Sequence, residues 1–174
     1  MLQFKSLQRQ DMPLVLKWRN ANLEAWRTPR ALTLDEQYKW WDDVVSKADP
    51  PCYWGIWENA GIDCQLFLGQ AEVSKISKEN LSGEIGLLIS PYYKGLGYGK
   101  QSALETYRRG FEELGLKTIY GEVYHCNAAL NFWLNLMTEL GGYTTILPNR
   151  KYWDNKFWDA TYFSLDCEQW KRRI

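Results

Sequence analysis

The sequence predicts a mixed α/β (α+β) fold in a single domain over residues 1–174, and three observations carry the prediction. Segments of strand and helix character follow one another as strand, two helices, three-strand meander, helix, strand, helix, two strands. A helix between two strands of one sheet demands a crossover, so part of the sheet is parallel. A chain of 174 residues, 45% hydrophobic and 24% charged, is long and apolar enough for one substantial core.

Each element has its own signal. "LQFKSL" (2–7) reads as a short edge strand. Asp11 is placed to cap a first helix, with Pro13 in its first turn and Leu14, Val15 and Trp18 on its apolar side. "TLDE" is a capping box, Thr33 as N-cap and Glu36 three residues on. Leu34, Tyr38, Trp41 and Val45 then keep helical spacing, and "DPP" (49–51) ends the run. "CYWGIW" (52–57) reads as a strand, "ENAG" (58–61) as a turn and "CQLFLGQAEVS" (64–74) as a second strand. A polar loop (75–82) leads to a central strand, "GEIGLLIS" (83–90). Leu104, Tyr107, Phe111 and Leu114 form the buried stripe of the next helix, closed by Gly115 in a left-handed cap. A strand (118–123), a helix (127–140) and closing strands at 143–147 and 158–165 complete about seven strands and about four helices.

Composition excludes several classes. A net charge of zero argues against a general nucleic-acid binder, which needs a basic surplus, but leaves room for one anionic ligand in a local basic pocket. No apolar run approaches the ~20 residues of a membrane span, and "MLQFKSLQRQDMP" lacks the apolar core of a signal peptide, so a cytoplasmic protein without membrane contact is expected. Cys52, Cys64, Cys126 and Cys167 show no C-x-x-C spacing, and His125 is the only histidine, so no metal site is expected. Most of the ten tryptophans read as packing residues, with some free to wall a pocket.

The most informative stretch is "SPYYKGLGYGKQ" (90–101), with three glycines within five residues where a helix is about to start. A helix N-terminus carries free N–H groups and partial positive charge, and glycines let those amides approach a phosphate. The P-loop pattern does not match, and neither does G-x-G-x-x-G. Lys94-Gly95-Leu96-Gly97-Tyr98-Gly99 does fit [Q/R]-x-x-G-x-[G/A] from its glycines, with lysine for the usual first residue. That pattern is the coenzyme A pyrophosphate loop of the GNAT N-acetyltransferases, which the chain resembles over nearly its whole length. "DMPLVLKWRNANLEAWR", the run from Ser82 to Asn127 and "YWDNKFWDATYFSL" carry the resemblance, nearest to the RimJ/RimL-like branch.

The resemblance implies an acetyl-CoA fold whose fourth and fifth strands splay apart. It implies that the pantetheine arm bonds the open edge of Leu87, Leu88 and Ile89, and that backbone N–H groups from Leu96 to Lys100 hold the pyrophosphate. It also gives Asn127 a cofactor hydrogen bond, beside that residue's ordinary use as a helix cap. Acetyl transfer needs a neutral amine and a stabilised oxyanion. Glu84 and Glu122 stand where family members carry acids, so one is expected as base or amine anchor and the other as its assistant. The oxyanion donor is expected near the Leu88 N–H. The tyrosine that usually follows the helix-start asparagine by seven residues is Leu134 here, and counting back from Gly142-Tyr143 gives Thr138 instead. Trp133 is placed to occupy that space, and the acid is left open among Tyr124, His125 and water.

The acceptor site is expected between the first two helices and the closing strands, with Trp18, Arg19, Trp26, Arg27 and Trp153 as its residues and Tyr152 and Trp158 nearby. Aromatic walls with an arginine suit a small amine such as a nucleotide-linked amino sugar. A protein N-terminus is the alternative acceptor, and a CoA-holding module without turnover the alternative class. A monomer or homodimer is expected.

Overall fold

The computed structural model describes residues 2–61 and 64–172. In chain order these form β1 (Leu2–Ser6), α1 (Met12–Asn20), α2 (Leu34–Trp40), β2 (Tyr53–Gly61), β3 (Cys64–Ser77), β4 (Ser82–Ile89), α3 (Tyr98–Arg108), β5 (Thr118–Tyr124), α4 (Leu130–Leu140), β6 (Tyr143–Trp153), β7 (Lys156–Asp166) and α5 (Cys167–Lys171). The strands make one seven-stranded sheet in the order β1-β2-β3-β4-β5-β7-β6. Only the β4–β5 pair is parallel, as the crossover through α3 requires.

Two apolar layers cover the sheet. On one face α1, α2 and the turn Trp41–Val45 that continues α2 bury Met12, Val15, Trp18 and Val45 with Leu88. On the other, α3 and α4 close over Ile85, Ile119 and Phe163. The Thr33 capping box forms as expected: Thr33 Oγ1 accepts from the Glu36 N–H at 3.2 Å, and Glu36 Oε2 accepts from the Thr33 N–H at 2.9 Å. Gly115 takes its left-handed conformation, φ +68°.

Several expectations need correction. "ENAG" is strand, because Glu58, Asn59 and Gly61 pair with Leu66, Gln65 and Cys64. The loop expected at 75–82 is shorter, since β3 continues to a Ser77–Ser82 pair. The closing strands reach Trp153 and start at Lys156, a longer hairpin than apolar alternation marked. Asp11 makes no side-chain bond to α1; its carboxylate accepts instead from the Gln8 N–H at 2.8 Å. The expected stripe is buried at Tyr107 of α3 and at Phe111 in the wider turn Arg109–Glu113 that continues it, but only half-buried at Leu104 and Leu114. A fifth helix, α5, was not anticipated; its Trp170 packs on Tyr107 and Phe111.

The decisive feature lies at the middle of the sheet. β4 and β5 pair at only three positions, Ser82–Thr118, Gly83–Ile119 and Glu84–Tyr120. Beyond these, β4 stays with β3 as far as Ile89–Gly69, and β5 stays with β7 as far as Tyr124–Ala160. The two strands therefore part from Ile85 and Gly121 onward. Close packing holds each strand on its own side. Gly121 lies under the Phe163 ring, where a Cβ would collide, and Trp133 of α4 stacks on that ring at 4.8 Å. Gly69 lets β3 press against β4, since a Cβ there would run into the Leu88 carbonyl oxygen.

Gly69→Ala should therefore cost about 2–3 kcal/mol, because a backbone atom has to move, and should weaken acetyl-CoA binding by shifting the open edge of β4. Denaturant midpoints and calorimetric titration would check both.

Candidate active site

Strand alternation sorts the side chains between the two faces. Glu72 and Ser74 on β3, Glu84, Gly86 and Leu88 on β4, and Glu122 and Tyr124 on β5 share the α1/α2 face, as the pairs Glu72–Gly86 and Glu84–Tyr120 require. A cavity of about 600 Å³ occupies the gap, lined by Glu72, Glu84, Gly86, Glu122 and Tyr124 and reaching Gly95 and Asn127 at the helix starts. Two ladder bonds, Ser90 N–H to Leu68 O at 2.8 Å and Val73 N–H to Cys52 O at 2.9 Å, set the hydrogen-bond phase. By alternation, the N–H and C=O of Leu88 point to β3, whereas those of Leu87 and Ile89 face the gap. The oxyanion donor expected at Leu88 is thereby corrected: that N–H is spent within the sheet.

The helix after the gap starts as the glycine run demands. Gly95 and Gly97 have φ of +80° and +84°, and Gly97 is the N-cap of α3. No side chain caps this helix, so its first amides stay available. A Cβ at Gly95 would meet nothing within 4 Å, which makes the requirement there one of backbone angle. Gly99 has an ordinary φ and leaves room beside Phe132.

Charges crowd the opposite mouth. Arg27, from the α1–α2 loop, sits 2.5 Å from Glu84 Oε1 and 3.6 Å from Glu122 Oε2. Lys75 lies 2.8 Å from Glu84 Oε2, and Arg150 of β6 lies 3.1 Å from Glu122 Oε1. Both glutamate side chains are about nine-tenths buried. Glu72 is partly exposed to the cavity and accepts from Gln70 Nε2 at 2.9 Å. Loss of water around it pushes its carboxyl up to about 7; the Gln70 hydrogen bond opposes the rise and the charge of Glu84 adds to it. Burial, and then the charge of Glu122, raises the Tyr124 hydroxyl as well.

A family model described as "Acetyltransferase (GNAT) domain" matches residues 2–132. The chain belongs to the GNAT acetyltransferase family. Among solved structures, mutant forms of the spermidine/spermine N-acetyltransferase SpeG from Vibrio cholerae superpose with a TM-score of 0.81 at 16% identity, covering 99% of this chain and 97% of that one. An N-acetyltransferase from Staphylococcus aureus superposes with a TM-score of 0.76 at 16% identity, over 95% and 98% of the two chains. A curated relative, the FsC-acetyl coenzyme A-N(2)-transacetylase of Aspergillus fumigatus, is 46% identical over 46 residues, 26% of this chain and 20% of that protein. The chain thus spans about one fifth of the length of that relative.

The GNAT fold brings some expected residues to the cavity and not others. Leu87, Leu88, Ile89, Lys94, Gly95, Gly99, Asn127, Trp26 and Arg27 line it. Leu96 is exposed outside it, the Tyr98 hydroxyl bonds Glu58, and Lys100 pairs with Glu139 at 2.7 Å. These three have only backbone to offer. Asn127 Oδ1 caps the turn before α4 by accepting from the Ala129 N–H at 2.9 Å; α4 therefore starts at Leu130.

Trp18 is corrected to a core residue, packed on Phe67 with 4% exposure. Arg19 lines the cavity, but its guanidinium is committed to the Thr28 and Arg30 carbonyl oxygens, so it builds the loop. Trp153 lies beyond the cavity lining, in the hairpin, where its carbonyl accepts from Trp158 Nε1. His125 bonds Thr161 Oγ1 at 3.0 Å outside the lining, which leaves Tyr124, in the lining, and water of the three acids left open. Trp133 does line the cavity, and neither Leu134 nor Thr138 does.

Sequence reading missed Glu72, Lys75, Arg150 and Lys151. Glu72 had a signal, as the one charge inside the apolar run "FLGQAEV". Lys151 had none: its ammonium is buried and donates to the Glu24 and Trp26 carbonyl oxygens at 2.6 and 2.7 Å, tying the α1–α2 loop to β6. Lys151→Met would keep the stem but strand two carbonyls. It should lower stability by about 2 kcal/mol and speed amide exchange over residues 22–28, as hydrogen-exchange mass spectrometry would show.

Proposed function

We propose that the whole chain, as one domain, transfers the acetyl group of acetyl-CoA by direct attack of a small molecule's primary amine, and that it belongs to the RimJ/RimL-like branch. The observation that carries the reading is the parted β4/β5 gap, which joins an uncapped glycine-rich helix start to a cluster of carboxylates. When bound, acetyl-CoA supplies an activated thioester. The residues present fit it. The α3 amides from Leu96 to Lys100 and the positive end of the helix suit a pyrophosphate. The unpaired N–H and C=O groups of Leu87 and Ile89 suit the amides of an extended arm.

The acceptor enters on the α1/α2 face. An amine of pKa ~10.4 is charged at neutral pH, so the carboxylates attract it and one of them takes its proton. Arg27, Arg150 and Lys75 stand beside them. Such a mixed mouth suits an acceptor carrying an anionic group as well as an amine, and the reading adopted is a nucleotide-linked amino sugar. A polycation would meet three like charges there. A CoA-holding module without turnover is the second reading, favoured by leucine at position 134. Cytoplasmic location and a monomer or homodimer complete the proposal. No helix among the described residues is long and apolar enough to cross a membrane.

Acetyl-CoA at 100 times its dissociation constant should stabilise the fold by roughly 2.7 kcal/mol, a melting shift of about 5–10 °C for a chain of this size. No shift would remove the cofactor. Thiol release against amino-sugar nucleotides, polyamines and N-terminal peptides should then be fastest with the first. Arg150→Ala should raise the KM for that acceptor about tenfold, a loss of ~1.4 kcal/mol, and leave acetyl-CoA affinity unchanged. A preference for polyamines would overturn the acceptor class.

A further inference from the structure

Glu84 and Glu122, the two expected bases, are both engaged by cations. Glu84 Oε1 and Oε2 face Arg27 and Lys75, and Glu122 Oε1 and Oε2 face Arg150 and Arg27, all within 3.6 Å. Each is held in ion pairs before any substrate arrives. Glu72 is the third carboxylate on this face, and among the described residues it forms no ion pair. Its Oε2 takes one hydrogen bond, from Gln70. Its other oxygen lies across Gly86: a Cβ there would stand 2.8 Å from Oε1 and 2.7 Å from Cγ. Gly86 is the strand partner of Glu72, so the Glu72 carboxylate fills the space a Cβ would take over Gly86, and both residues line the cavity.

We propose that Glu72 is the catalytic base, taking the proton of the acceptor ammonium over the bare backbone of Gly86. The assignment rests on the acetyl-transfer reading above. Glu72 carboxylate accepts one N–H proton, and the freed nitrogen lone pair forms the C–N bond to the thioester carbonyl carbon. The C–S bond then breaks with its electron pair on sulfur, and the second N–H proton passes to that thiolate. The products are the amide, free thiol and protonated Glu72, which returns its proton to water. Glu84 and Glu122, with their cations, position the acceptor.

The surroundings suit a base working near neutral pH. Glu84 faces Glu72 from β4, Glu122 from β5, Gln70 and Ser74 from its own strand, Tyr53 from β2 and Cys52 just before it, and Arg27 and Arg19 from the α1 side. Burial raises its carboxyl to about 7, so about half is ionised at neutral pH. The acceptor kcat/KM should therefore rise with pH through about 7 before levelling.

The test compares wild type with Glu72→Gln and Glu72→Asp, using the best amine of the acceptor panel. Glu72→Gln should lose about 10²–10⁴-fold in kcat/KM together with the limb near pH 7, and keep its melting behaviour and acetyl-CoA affinity. Glu72→Asp should recover part of the rate and a limb, which a carboxylate needed only for packing would not. Carboxyl ¹³C NMR, run without acceptor, should show one glutamate titrating near neutrality in wild type and none in Glu72→Gln. Full activity with an unchanged limb in Glu72→Gln, or no glutamate titrating above pH 6, would overturn the assignment. Wild type inactive on every amine would sink the transfer reading, and the catalytic role with it. The carboxyl titration, independent of turnover, distinguishes that failure from a misassigned base.

Discussion

Everything distinctive in this molecule follows from three strand pairs where a full ladder would have had seven or eight. Once β4 leaves β5 after Glu84, the gap-facing backbone groups of Leu87 and Ile89 have no strand partner among the described residues. Unpaired backbone is costly away from water, and for that reason the proposed reading seats an extended, amide-bearing arm there. The parting is enforced from both sides. Gly69 lets β3 hold β4 close, and Phe163 with Trp133 holds β5 toward β7. The cavity is therefore a property of the sheet rather than a dent in its surface.

The same parting decides the electrostatics. It brings side chains from β3, β4 and β5 to one opening, so three glutamates converge that are 12 and 38 residues apart along the chain. Like charges this close are tolerated because Arg27 bridges two of them and Lys75 and Arg150 balance the remainder. Among the described residues, Glu72 alone of the three forms no ion pair. On the proposed assignment, that asymmetry separates two holding carboxylates from one that exchanges a proton. The loop that delivers Arg27 is itself pinned, by Arg19 within the loop and by Lys151 from β6. Buried cations thus serve the site without touching its cavity chemistry.

Much of this was legible in the sequence. The order of elements, the Thr33 capping box, the Gly115 stop and the glycine-rich start of α3 are encoded within a few residues, because helix caps, turns and periodicity are local physics. Strand ends were less legible. Glu58 and Asn59 look like a turn in isolation but become strand when Leu66 and Gln65 lie opposite them.

The sequence by itself determined the kind of fold, the glycine-rich loop at the start of α3 and two of the three carboxylates at the opening. Only the tertiary structure decided which of those carboxylates is free, that Trp18 is core and Arg19 a loop brace, and that Leu88 turns its N–H inward. The reason is register. A side chain's partners across a sheet, and the direction of every backbone N–H, depend on which residues of other strands stand opposite. A stretch of chain carries its own periodicity, but not the identity of its neighbours.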